Sequence, residues 1–212
     1  MSEAHICYLD LETSGLFPWK HGIVQIGYIL ERIPEGQYKG EVLVERDLKL
    51  NLFPTDEFDD RAGEVNGTTK SLVTNNPDRL EPRDALDQLK ADIKEYFGDG
   101  PCQLCGYNAL KFDEEFLRKF WLKTKGGTFS KTFYTPTIDV LVLVGHLVRF
   151  QRPELAQAYE KGTMKLGTIE EVLADELASE GYSRSGELHD ALTDIRLTRY
   201  LYLIASKYTK WA

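Results

Sequence analysis

Two carboxylates stand two residues apart in the stretch Cys7-Tyr8-Leu9-Asp10-Leu11-Glu12-Thr13-Ser14-Gly15-Leu16. Ile6 to Leu11 is short and mostly apolar, as a buried strand is. Side chains alternate along a strand, so Asp10 and Glu12 project from the same face. Neighbouring carboxylates on a core strand repel each other and resist desolvation. Either the strand end runs out into water, with one acid capping a turn, or a cation is bound there. Oxygen ligands of this type suit Mg²⁺ or Mn²⁺. The stretch alone leaves both readings open.

Three further ionisable groups occur where the local pattern does not require them. Asp113 opens a helical pattern just after an apolar strand; the plain alternative is a helix N-terminal acid. Asp194 lies in a stretch that is otherwise apolar, Ala191-Leu192 and Ile195, where a bare buried carboxylate is costly. Its alternative is an exposed helix face. His189 immediately precedes that helix and could equally be a surface or capping residue.

The elements that would position these groups follow from periodicity and punctuation. Ile23 to Arg32 and Glu41 to Leu50 read as strands, separated by a turn at Pro34-Glu35-Gly36. With the opening strand they predict a three-stranded antiparallel meander. Asp56 to Val65 is a short helix stopped at Asn66-Gly67, and Pro82 to Phe97 is a longer one with Leu86, Leu89, Ile93, Tyr96 and Phe97 on one face. Cys102 to Tyr107 is a strand and Phe112 to Lys123 a helix. Gly126 to Lys131 is a loop. Thr137 to Phe150 is a strand stub followed by a helix. Thr163 to Glu180 reads as one helix capped by Thr168, and His189 to Lys207 as a mostly buried one. This order predicts an α/β mixed sheet, a meander plus parallel strands, with helices on both faces. No repeat or linker interrupts it, and 1–212 reads as one domain.

Composition narrows the class. A content of 42% hydrophobic and 28% charged residues is that of a soluble globular protein. A net charge of −8 argues against a general nucleic-acid coat protein but not against a nucleic-acid enzyme whose acids hold cations. Three cysteines make a disulfide framework improbable. Cys102-x-x-Cys105 leads into more strand, which fits buried thiols of a reducing, cytoplasmic protein rather than a redox pair. There is no signal peptide and no apolar run long enough to span a membrane.

Taken together, Asp10-x-Glu12-Thr13, Asn108-x4-Asp113 and His189-x-Ala191-x-x-Asp194 resemble the three sequence blocks of the DnaQ-like 3′–5′ exonuclease superfamily, in its histidine (DEDDh) subgroup. The histidine stands five residues before the last acid. The tyrosine subgroup has its tyrosine four before, and Asp190 occupies that position here. Ala62-x-x-Val65-Asn66-Gly67-Thr68-Thr69 and Thr137-Ile138-Asp139 are softer likenesses. The resemblance covers about His5 to Ser206, with no departure among the acids.

It implies a ribonuclease H-like fold and hydrolysis of phosphodiesters at 3′ ends, with release of nucleoside 5′-monophosphates. Two divalent cations about 4 Å apart, Mg²⁺ or Mn²⁺, would activate water and stabilise charge. By resemblance Asp10 bridges the ions, Glu12 and Asp194 hold the ion beside the attacking water, and Asp113 completes the other site. His189 is the general base, suited to it by the ordinary imidazole pKa near 6.5. Thr13 to Leu16 would receive the 3′ terminus, Leu16 wedging against the last base with Phe17 beside it, and Asn108 is a further substrate contact. Arg118, Lys119, Lys123, Lys125 and Lys131 form a basic run that reads as a solvated face or a guide for a phosphate backbone.

The second block is most like that of exonuclease I, so single-stranded DNA is expected over RNA. An RNA-trimming exoribonuclease or oligoribonuclease is the alternative, and a non-catalytic nucleic-acid-binding domain a remote one. A homodimer or a polymerase or repair partner is compatible with the sequence but not readable from it.

Overall fold

The computed structural model describes residues 3–152, 164–184, 186 and 189–208. Three strands open the chain: β1 (Ala4–Thr13), β2 (Ile23–Ile33) and β3 (Glu41–Lys49). They form the expected antiparallel meander, with Asp10 opposite Gly27 and Gly27 opposite Asp47. α1 (Asp60–Asn66) and α2 (Pro82–Phe97) follow, then β4 (Cys102–Gly106) and α3 (Asp113–Lys123). β5 (Phe133–Asp139) leads into α4 (Val140–His146), α5 (Leu166–Val172), α6 (Ala174–Ser179) and α7 (Ala191–Tyr208). The sheet order is β3-β2-β1-β4-β5, and β4 pairs parallel to both of its neighbours.

Alternation along β1 separates two cores. Cys7, Leu9 and Leu11 pack with Leu86 and Leu89 of α2 and Phe116 of α3. Ile6 and Tyr8 face the other way, toward α4 to α7. Helices therefore cover both faces, as the sequence pattern predicts. α7 is held on the meander by more than apolar contact. Arg199 makes a buried two-point ion pair with Glu31 of β2, at 2.6 and 2.9 Å. Arg196 reaches Glu45 of β3 at 2.6 Å. Such planar pairs fix orientation as well as distance.

Several boundaries differ from the sequence reading. α1 begins at Asp60 rather than Asp56, because the Asp59 carboxylate caps it by accepting the Arg61 N–H. A short 3₁₀ turn, Phe129–Lys131, occupies part of the predicted loop. β5 starts at Phe133, whose ring is fully buried, so the predicted stub is a full strand. The helix expected from Thr163 to Glu180 is divided at Leu173. Ile169, Leu173 and Leu177, at helical spacing, all enter the second core. Thr168 lies inside α5, whose cap position is Lys165; Thr163 itself lies outside the described residues. No helix among the described residues is long and apolar enough to cross a membrane.

Candidate active site

Asp10 and Glu12 continue the Ile6–Tyr8 face of β1 and so point toward α7. β4 ends at Gly106, and on that edge β1 is paired, among the described residues, over Ile6 to Tyr8. The buried Asp113 carboxylate fills that edge: it accepts the Leu11 N–H at 3.1 Å. An acid at the first position of α3 is thereby drawn onto the strand that carries the other two.

The fourth acid arrives on α7. Asp190 is the N-cap of that helix, accepting the Thr193 N–H at 3.0 Å and the Thr193 hydroxyl at 3.1 Å. Gln25 of β2 donates to Asp190 at 2.9 Å and to Asp47 at 2.7 Å, tying the helix start to the meander. Close approach also requires Gly27. A Cβ there would lie 2.5 Å from the carbonyl carbon and oxygen of Ala191. Asp194, one turn in, is buried. Its Oδ2 accepts the His189 N–H at 3.2 Å, and its Oδ1 is buried without a hydrogen-bond partner. His189 is exposed and in the left-handed region, φ 66°.

The acids burden one another. Burial, then the charge of Asp113, Glu12 and Asp194, raises Asp10 well above the usual carboxylate range. Burial, Asp194 and Asp113 push Glu12 up to about 8, with Asn66 acting in the opposite sense. Burial and Asp139 push Asp113 up to about 7 against two backbone N–H groups. Asp194 is raised by burial although His189 and Arg184 pull it down. Glu12, His189 and Asp194 each offer one ligand atom within 4.8 Å of the others. An orphaned buried carboxylate oxygen amid mutually repelling acids is what a bound divalent cation relieves, and the oxygen-rich donor set fits Mg²⁺ or Mn²⁺.

The substrate-contact candidates fare less evenly. The Thr13 hydroxyl is spent locally, on the Gly15 carbonyl at 2.8 Å. The Thr13 carbonyl accepts the Asn66 amide at 3.0 Å. Leu16 is 69% exposed on the loop that follows. Asn108 is exposed, with φ 56°, and its N–H bonds Asp139 at 2.9 Å rather than any of the four acids. The Tyr107 hydroxyl donates to the Met164 carbonyl. In the basic run, Arg118 is paired with Glu114 and Lys123 with Asp56. Cys102 and Cys105 are buried and belong to opposite cores, so they do not form a redox pair.

Sequence reasoning assigned no positioning role to Gly27, Gln25, Asp190, Asn66 or Asp139. Two had a readable signal. An isolated glycine in a strand marks close backbone approach, and Asp190-x-x-Thr193 before a helix marks a cap. Asp139 takes the N–H groups of Asn108, Leu110 and Leu141, fixing the loop that delivers Asp113.

No family model matches the chain. An oligoribonuclease from Burkholderia lata is 23% identical over 208 residues, covering 96% of this chain and 86% of that protein. A PolC-type DNA polymerase III from Thermotoga petrophila is 25% identical over 195 residues, 92% of this chain but 11% of the polymerase. Exonuclease I from Methylocaldum szegediense superposes with a TM-score of 0.69 at 16% identity, over 98% of this chain and 41% of that one. These relatives and solved structures are consistent with the DnaQ-like 3′–5′ exonuclease superfamily. The five-stranded mixed sheet with its helices matches the ribonuclease H-like fold of exonuclease I, and the relatives indicate an enzyme of the 3′–5′ exonuclease class. E. coli exonuclease I, solved with a dT13 oligonucleotide, gives a TM-score of 0.67 at 16% identity over 95% of this chain. The chain spans about two fifths of the length of exonuclease I.

Proposed function

We propose that this DnaQ-like chain, a single exonuclease domain, removes nucleotides from the 3′ end of single-stranded nucleic acid, DNA in preference to RNA, and releases nucleoside 5′-monophosphates. The observation that carries the reading is the meeting of four mutually repelling carboxylates with one exposed imidazole. Asp10, Glu12, Asp113 and Asp194 would hold two divalent cations, which when bound lower the cost of charge on the attacked phosphate and on the attacking and leaving oxygens.

His189 accepts the proton of the water that attacks phosphorus. The P–O3′ bond breaks, the leaving oxygen takes a proton from solvent to become the 3′-hydroxyl of the shortened strand, and the phosphate stays on the released nucleotide. The His189 backbone N–H meanwhile orients Asp194, so one residue serves the site through two groups. Thr13 to Leu16, directly after Glu12, places backbone and an apolar side chain where the terminal nucleotide would sit.

A short RNA is the second reading. It is favoured by the oligoribonuclease relative, which this chain matches over 86% of that protein's length. The PolC-type relative favours a polymerase context if a partner exists. Three free buried thiols suit a reducing compartment such as the cytoplasm. The deciding experiment is a panel of 5′-labelled single- and double-stranded DNA and RNA of two to thirty nucleotides, with Mg²⁺ or Mn²⁺. Faster stepwise shortening of single-stranded DNA supports the proposal. A preference for RNA of two to five residues replaces it with the second reading.

A further inference from the structure

The loop Ser14 to Gly22 does more than join β1 to β2. It exposes Leu16 (69%), Phe17 (47%) and Trp19 (64%) side by side. The exposure does not come from a loosely held segment. Ser14 N–H donates to the Gly22 carbonyl, and Gly22 N–H donates back to the Ser14 hydroxyl oxygen. The Phe17 carbonyl accepts from both Lys20 and His21, and Phe17 N–H donates to Nδ1 of buried His21 at 3.1 Å. Two backbone bonds, Glu57 to Lys20 and Asp59 to Ser14, lash the loop to the segment before α1. Gly15 is needed for this closure, since a Cβ there would meet the His21 ring at 2.5 Å.

The aromatic rings inherit that order. His21 stacks on Phe17 at 5.9 Å and 26°, and Phe17 meets Trp19 at 5.1 Å and 34°. A pinned pair of aromatic rings, five and seven residues past Glu12, stays largely in water, with only Phe17 backed by the His21 ring. Burying such faces is normally favourable, so a contiguous exposed set marks a contact site. Lys20, the next residue, is paired with Glu57 at 3.7 Å.

We propose that Trp19, backed by Phe17, is a stacking shelf for bases one or two nucleotides upstream of the 3′-terminal one. This rests on the exonuclease reading above and extends it from the terminal nucleotide to the strand behind it. The occupant is a nucleobase because the shelf lies on the same loop that leads away from the acids. Flat aromatic faces accept any base, whereas hydrogen-bond readout would select one. The shelf therefore confers strand length dependence and little sequence preference. Rigid rings lose little entropy on binding, so the contact contributes to affinity rather than to the chemical step.

The test uses the intact chain with Trp19→Ala and Trp19→Phe. On a single-stranded pentamer, Trp19→Ala is expected to raise KM about 10-fold with kcat changed less than twofold, and Trp19→Phe to restore most of it. The penalty should shrink as the strand is shortened to a dinucleotide. Independently of turnover, an unlabelled dT10 strand added in Ca²⁺ should quench the emission of wild type and leave unchanged that of Trp19→Phe, which keeps Trp121 and Trp211. Quenching without hydrolysis would keep the shelf and remove the exonuclease reading. Hydrolysis with unchanged KM and no quenching would remove the shelf alone. Self-association lost in Trp19→Ala with KM unchanged would assign the patch to a second copy of the chain and overturn the proposal.

Discussion

Gly27 stands directly opposite Asp10 in the β1–β2 pair, and its missing side chain is the space into which the start of α7 settles. The strand that supplies Asp10 and the helix that supplies Asp194 are thus brought together by a hydrogen atom. Gly27→Ala must shift Ala191 or the strand. We expect a loss of about 1–3 kcal/mol in stability and a fall in kcat/KM of about 100-fold, because small misplacements of reacting groups cost that much. Thermal unfolding and steady-state kinetics check both. Full activity would show that α7 does not set the geometry.

Removing charge from the cluster should separate stability from function. Asp10→Asn removes a buried carboxylate that Asp113, Glu12 and Asp194 all repel. In EDTA at pH 8 the variant should unfold a few degrees higher than wild type while losing nuclease activity. Active sites commonly carry such a trade. A lower unfolding temperature in EDTA would mean that Asp10 is a structural hydrogen-bonding residue.

The pH dependence has a definite sign. Glu12 and Asp113 hold protons in the folded chain up to about 8 and about 7, whereas ordinary carboxyls lose them near 4.5 and 3.8. Between those limits the folded state binds more protons than the unfolded one, so metal-free stability falls as pH rises. Divalent cations need the carboxylates, so their apparent affinity rises over the same interval. Unfolding temperatures in EDTA and in Mn²⁺ at pH 6 and 8.5 test this: the Mn²⁺ increment should be larger at pH 8.5. Equal increments would contradict the coupling.

His189 lies close enough to Glu12 and Asp194 to be either base or ligand. Its side chain is exposed, and the hydrogen bond that Asp194 accepts from it comes from its backbone N–H. Asparagine tolerates the left-handed backbone found there. His189→Asn should therefore fold normally, bind Mn²⁺ within a few-fold of wild type, and lose about 10²–10⁴ in kcat. A loss of Mn²⁺ affinity that accounts for the lost rate would make the imidazole a ligand.

The periodic elements were legible because burial and period coincide. β1 to β3, α2 and the buried face of α7 each announce themselves by apolar spacing. The acids were legible because carboxylates interrupting apolar runs have few structural excuses. What sequence could not order was α5 and α6, where one continuous helical period of buried Ile169, Leu173 and Leu177 conceals the break at Leu173. Nor could it show that Thr13 spends its hydroxyl on Gly15, or that Asn108 is held by Asp139. Those bonds join residues through backbone geometry, which no spacing encodes. Asp190 carries a double lesson: the position filled by tyrosine in the sister subgroup is here the cap that starts the helix of Asp194.

The central claim is that the four acids serve hydrolysis from the 3′ end through divalent cations. It is tested most directly by following a 5′-labelled single-stranded DNA with wild type and with Asp10→Asn, each in Mn²⁺ and in EDTA. Wild type in Mn²⁺ alone should give a ladder of products shortened one nucleotide at a time, with an intact strand in the other three reactions. An intact strand with wild type in Mn²⁺, or a ladder that persists in EDTA, would contradict it.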